Sequence, residues 1–253
     1  MDLSRRFILF STVVTLAGCG GDDSGASPAP PPPPPPPPGP PGTVTLTYSF
    51  ANDFAGWEAA YADYTLGQEA TIGFAFGHER LPAPLADRTG IYLSSDNRSD
   101  DVFMYLTRQV DGLVPNTRYR VDLQIEIATN APPNCPGAGG SPGESVFVKA
   151  GASAVRPEKV VAAGNFVTVN FDKGDQSQSG ANAVVIGNFA QSTAGGSCLN
   201  GPYQRKTLSS GTAGPAVRSD GNGRLWLVAG TDSGFEGFTK IYYLEIRATF
   251  TPV

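Results

Sequence analysis

Tyr119-Arg120-Val121-Asp122-Leu123-Gln124-Ile125-Glu126-Ile127 alternates apolar and polar residues without a break. Successive side chains of a β-strand point to opposite faces, so this pattern buries one face and wets the other. A helix would need apolar residues every three or four positions instead. Working outward, residues 44–50 (VTLTYSF) alternate in the same way, and so do Tyr242, Leu244, Ile246, Ala248 and Phe250. Further strands are predicted at 70–76, 91–94, 102–110, 146–149, 166–171, 183–189 and 224–229. Gly, Pro, Asn and Asp punctuate them, and Asp220-Gly221-Asn222-Gly223 predicts a hairpin turn. About ten to twelve strands with no helical periodicity and no internal repeat point to one all-β domain over residues 43–253, an antiparallel sandwich or barrel. A chain of this length buries enough surface to fold without many staples.

The first forty-two residues have a different character. Arg5 and Arg6 precede an apolar run of ten residues, 7–16, and then Leu16-Ala17-Gly18-Cys19. Ten residues are too few to cross a bilayer as a helix, which takes about 20. Charge, short apolar run and small residues together mark residues 1–18 as a signal peptide. The tetrapeptide resembles the lipobox of bacterial lipoproteins. That resemblance implies cleavage before Cys19, acylation of Cys19, and a stable membrane anchor, since several acyl chains hold where one is marginal. Ser4-Arg5-Arg6-Phe7-Ile8-Leu9 partly resembles a twin-arginine export signal but departs from it at Ile8 and Phe10. Gly20 rather than Asp follows the Cys. By resemblance to the sorting rule of enteric lipoproteins, this implies the outer membrane of the cell envelope, facing either the periplasm or the surface. Residues 19–42 carry twelve of the chain's 23 prolines, nine of them consecutive. Such a tract holds polyproline II geometry. At about 3.1 Å per residue, 28–41 would form a semi-rigid stalk of roughly 43 Å. A Pro-rich ligand for another protein is the alternative.

Composition excludes several functions. The 253 residues carry a net charge of -5, and only 16% are charged. A nucleic-acid binder needs a Lys/Arg surplus, which is absent here. With one His, a multi-histidine metal site is excluded.

Three segments of the β region carry a further resemblance. Phe50 and Trp57 lie near its start, Val110-Asp-Gly-Leu-Val-Pro-Asn-Thr-Arg-Tyr119 precedes the long strand, and Tyr242-Tyr-Leu-Glu-Ile-Arg-Ala-Thr-Phe250 ends it. Together they resemble a jelly-roll of the galactose-binding-like class, to which many carbohydrate-binding modules belong. Pro115 and Asn116 set the turn of the middle segment, which also occurs in fibronectin-like sandwiches. The domain is similar as well to a group of bacterial surface lipoproteins, a likeness that implies no activity.

Beyond Cys19, two cysteines remain. Cys135 and Cys198 sit in Gly/Pro-rich stretches, and two cysteines in an exported domain predict one disulfide, with two free thiols as the alternative. Gly139-Gly140-Ser141-Pro142-Gly143 matches G-x-S-x-G but fails as a nucleophile elbow. The residue after the nucleophile must offer its N–H to an oxyanion, and Pro142 has none. Asp96, Asp100 and Asp101 form an oxygen-rich loop of the kind that holds a structural calcium, without the EF-hand spacing. Glu144 and Lys149 flank an apolar strand segment, so one of them is expected to be buried and paired.

Sugar recognition uses aromatic platforms beside a few polar groups. Trp57, Tyr61, Tyr64, Trp226, Phe235 and Phe238 are the aromatic candidates, although the apolar neighbours of Trp226 favour the core. His78 and Arg80 are candidates to line a groove at a sheet end, and a solvated or hydrogen-bonded loop cluster is the favoured alternative. The turn-rich 230–238, with Asp232, Phe235, Glu236 and Phe238, is the preferred ligand-facing loop, and the polar 172–177 is a second. The reading that follows is a non-catalytic envelope lipoprotein binding a glycan or an envelope protein. A glycoside hydrolase or polysaccharide lyase on the same scaffold is the alternative, and a scaffolding domain is a third.

Overall fold

The computed structural model describes residues 42–98, 101–193, 197–198 and 201–253. Residues 1–18, expected as a signal peptide, lie outside them, as do Cys19, the Pro-rich tract and Asp100. In chain order the strands are β1 (Val44–Ser49), β2 (Glu58–Ala62), β3 (Tyr64–Thr65), β4 (Ala75–Arg80), β5 (Thr89–Asp96), β6 (Val102–Val110), β7 (Arg118–Thr129), β8 (Val146–Ser153), β9 (Lys159–Val161), β10 (Phe166–Val169), β11 (Ala183–Asn188), β12 (Gln204–Ser209), β13 (Ala216–Arg218), β14 (Leu225–Ser233) and β15 (Phe238–Pro252). One helical turn, Glu69–Ile72, stands between β3 and β4.

Two antiparallel sheets make a β-sandwich. One runs β12-β7-β15-β5-β4, with β1 continuing the edge of β15 beyond β5, and β13 pairing with β7. The other runs β11-β8-β14-β6-β2. A small third sheet is β3-β10-β9. The alternation in β7 does what its pattern requires: Tyr119, Val121, Leu123, Ile125 and Ile127 are all fully buried between the sheets. They meet Met104, Leu106, Val148, Ala150, Leu227 and Ala229 from the opposite sheet.

The turn before β7 carries the chain from one sheet to the other. Asn116 takes a positive φ of 53°, and Tyr119 accepts a hydrogen bond from the Val114 N–H through its hydroxyl, at 3.1 Å. Asp220 caps its own turn by accepting from the Asn222 and Arg224 N–H groups. That turn joins no hairpin, because β13 pairs with β7 while β14 pairs with β6 and β8. Two further expectations are corrected. Residues 70–72, expected in a strand, belong to the helical turn. Residues 231–233, expected in a loop, continue β14, because β6 and β8 extend alongside it and pair with it on both edges.

The outer face of the second sheet is not bare. Asp232, Gly230 and Val228 of β14 share that face with Phe103 and Tyr105 of β6 and with Lys149 of β8. Phe171 and Val169 pack over it and form a smaller apolar cluster with Ala62, Phe103, Tyr105, Ala183 and Val228. The chain therefore covers the face where a charged strand residue would otherwise meet water.

Candidate functional site

Beyond β14 the backbone leaves the sheet at Gly234, and its loop is tied on both sides. The Asn97 side-chain amide donates to the carbonyls of Ser233 (2.7 Å) and Phe235 (3.0 Å). The Gly234 N–H donates to Ser145 O and the Glu236 N–H to Ala138 O, each at 2.9 Å. Gly137 lies so close that a Cβ there would sit 2.6 Å from the Phe235 ring. Phe235 is therefore half-buried as a wedge beneath the loop, while Phe238, at the first position of β15, is 64% exposed.

Cys135 and Cys198 form a disulfide with Cα atoms 5.5 Å apart. It joins the segment before β8 to the segment before β12. Glu144 fastens the first of these by accepting hydrogen bonds from the Asn134 N–H (2.7 Å) and the Ser141 hydroxyl. Burial works against the charge on Glu144, but those bonds outweigh it and hold the carboxyl below its usual range. Ser141 of the G-x-S-x-G match thus serves this loop. The result is a groove of about 380 Å³, lined by Asn130, Ala131, Pro136, Pro142, Phe189, Cys198, Phe235, Phe238 and Thr239. Among the described lining residues there is no Asp or Glu.

The other residues expected at a ligand site lie elsewhere. Trp57 is 3% exposed and packs edge-to-face on Tyr48 and Phe50, so it is a core residue and not a platform. Trp226 departs the other way: it is half-buried, and the Arg156 guanidinium lies over its ring. His78 donates its Nε2–H to the Phe50 carbonyl at 2.7 Å, which spends it on structure. Arg80 is exposed at the end of β4, and Glu236 is exposed on the groove loop without lining the groove. Tyr61 and Tyr64, two of the expected aromatic candidates, belong to a row completed by Phe74, Phe76 and Phe54, which sequence reasoning passed over; neighbouring ring centroids are 4.5 to 6.1 Å apart. The row fills the open side of the sandwich between the edge strands β2 and β4. The signal for it was six aromatic residues within 54–76, five of which form the row.

Asp232 does not face a ligand either; it is fully buried in an ionic cluster. Its Oδ2 lies 2.7 Å from Lys149 Nζ and 2.8 Å from Lys173 Nζ. Lys173 also reaches Asp63 Oδ2 at 2.7 Å. Lys173 comes from the polar loop expected to face a ligand, and it turns inward instead. Asp101 completes the group by a hydrogen bond to Asp232. The expected acidic loop is not assembled among the described residues: Asp96 pairs with Arg98 at 2.7 Å, while Asp101 joins this cluster. Oxygens of Asp63, Asp101 and Asp232 lie within 4.8 Å of one another, a spacing a cation could bridge, and the Lys173 ammonium already binds two of the three. Burial pushes Asp63 and Asp101 up, the latter to about 9 with help from the neighbouring Asp232 charge. Burial also opposes ionisation of Asp232, but Lys173 and Lys149 outweigh it and hold that carboxyl low.

Among solved structures the chain is similar to the K3 cleaved adhesin domain of Lys-gingipain from Porphyromonas gingivalis, at 14% identity over 82% of this chain and 99% of that one, with a TM-score of 0.39. It is similar to TmCBM27, a carbohydrate-binding module of specific mannan recognition, at 13% identity over 82% and 97%, with a TM-score of 0.36. It is similar also to the CBM27-1 module of Caldicellulosiruptor saccharolyticus, solved with mannohexaose, at 8% identity over 81% and 96%, with a TM-score of 0.35. These are likenesses of fold alone. No protein-family model and no curated protein matches the chain.

Proposed function

We propose that the domain is a non-catalytic module that binds a glycan in the groove beside Phe238, and that Cys19 and the Pro-rich tract tether it to a bacterial envelope membrane. The observation that carries the binding reading is the exposed Phe238 ring at the mouth of a groove whose walls are tied by a disulfide and by backbone hydrogen bonds. A sugar ring presents C–H faces that pack on an aromatic ring, and its hydroxyls seek amide and hydroxyl partners such as Asn130 and Thr239. A pre-tied loop lowers the ordering cost of binding. Glycoside hydrolysis uses a pair of carboxyl groups, and the absence of Asp and Glu among the described lining residues favours binding over it.

A glycan array followed by calorimetry tests this. Phe238→Ala is expected to weaken binding about tenfold, equivalent to roughly 1.4 kcal/mol, with the unfolding midpoint unchanged. A wild-type domain that binds no glycan class would remove the proposal. The anchor has its own test, in which the full chain is expected to incorporate labelled palmitate and to sediment with membranes. Cys19→Ser should do neither, and a variant that still incorporates the label would place the lipid elsewhere.

A further inference from the structure

We propose that the side chains of Lys149 and Asp232 join in an intramolecular amide, with Asp101 relaying the proton, so that β8 and β14 are covalently stapled. The reaction condenses an amine with a carboxyl group and needs no cofactor. It does need the two groups in contact, an acid beside them, and a dry site.

The first need is met by position. Lys149 Nζ lies 2.7 Å from Asp232 Oδ2 and also donates to the backbone carbonyls of Lys173 (2.7 Å) and Gln178 (3.0 Å). A neutral amine has two N–H groups and one lone pair. The two carbonyls take the two hydrogens, which leaves the lone pair directed at Asp232. The second need is met by Asp101, hydrogen-bonded to Asp232. Two lysines face three carboxyl groups here, so the buried cluster balances its charge when one carboxyl keeps a proton. The third need is met by burial. Lys149 and Asp232 are both 0% exposed, with Phe103, Tyr105 and Phe171 around them.

Protonation tendencies point the same way. Burial pulls Lys149 down toward the free amine, and burial with the Asp232 charge keeps Asp101 protonated to about 9. Lys173 differs: burial opposes its charge, but Asp232 and Asp63 overcome this and hold it as an ammonium. Lys173 is therefore the resident cation and Lys149 the nucleophile.

The Lys149 ammonium passes a proton to the Asp232 carboxylate, giving an amine and a carboxylic acid. The amine nitrogen attacks Asp232 Cγ. Asp101 gives its proton to the departing hydroxyl, which leaves as water, and takes the surplus proton from nitrogen. One C–N bond forms, one C–O bond breaks, one water leaves, and Asp101 ends protonated as it began. Nothing is oxidised or reduced. The product removes one buried ion pair and leaves Lys173 and Asp63 to balance each other, which favours condensation in a site that ions enter only at a cost.

The test is peptide mapping of the full chain by mass spectrometry after reduction and tryptic digestion. Trypsin should fail to cut after Lys149, and a branched peptide joining 121–159 to 225–240, lighter than their sum by one water, is expected in most wild-type molecules. Asp101→Asn is expected to give the two peptides separately, as is Lys149→Arg. Wild-type digests with free cleavage after Lys149 and no branched peptide would overturn the proposal, whatever the variants do. A branch through Lys173 would overturn the choice of nucleophile, and full cross-linking in Asp101→Asn would overturn the role of Asp101.

Discussion

Replacing Lys173 with Met is expected to cost about 3–5 kcal/mol of stability, which is the scale of leaving a buried charge without its partner. The ammonium holds both Asp63 and Asp232, at 2.7 and 2.8 Å, and the two carboxylates are 2% and 0% exposed. Met fills the volume but offers no charge. For a domain of this size each kcal/mol moves the midpoint about 2–4 °C, so a fall of about 6–20 °C is expected in thermal unfolding. Arg156→Met is the comparison, since the Arg156–Glu58 pair is as short, at 2.6 Å, but its members are 52% and 57% exposed. That change is expected to cost under about 1 kcal/mol. Equal effects of the two changes would refute the view that burial sets the worth of the pair. Adding Asp63→Asn to Lys173→Met should recover part of the loss, because the amide needs no counter-charge. The expectation holds with or without a Lys149–Asp232 amide, as Lys173 and Asp63 stay ionic in both forms.

Opening the disulfide is the second large change. Cys135 and Cys198 are 63 positions apart, and the chain-entropy account gives roughly 4 kcal/mol for closing a loop of that length in the unfolded state. Denaturant unfolding of the Cys135→Ser/Cys198→Ser double variant should show a loss of that order. The groove should suffer with it, because Cys198 is part of its wall. A glycan titration of the double variant is therefore expected to show weaker binding than stability alone explains. A stability loss below about 1 kcal/mol would mean that the loop is already held by its other bonds.

The sandwich was legible where a strand either alternates or runs continuously apolar. Residues 102–110 were expected as a strand and are β6, and the 119–127 pattern lies within β7. The pairing of Cys135 with Cys198 was expected from the count of cysteines in a domain read as exported, and the disulfide is present. Of Glu144 and Lys149, one was expected to be buried and paired, and Lys149 is. What local pattern could not carry was partnership across long stretches of chain. Trp57 follows a polar turn, which left core and platform equally open, and Tyr48 of β1 and the adjoining Phe50 pack over it. Asp232 looked like a loop carboxylate because an acidic residue in a central strand needs cations, and one of these, Lys173, lies 59 positions away in sequence. Short strands such as β2, β3, β9 and β13 were missed because edge pairing asks for little alternation in two to five residues. Phe235 and Phe238 were both expected to be exposed; Phe238 is, whereas Phe235 is half-buried against Gly137.

β15 has a mechanical consequence. Phe238 stands at its first position, and Val44 of β1 pairs with Phe250 near its last. A ligand gripped at the groove and a tether pulling ahead of Val44 would load opposite ends of one strand, separated by about 40 Å of extended chain. The pull would run along the strand axis, across the six-residue β1–β15 ladder. In that direction the rungs share the load and must break together, whereas a sideways pull would unzip them singly. With the proposed tether and ligand in place, drag on a bound polymer would load this ladder in shear.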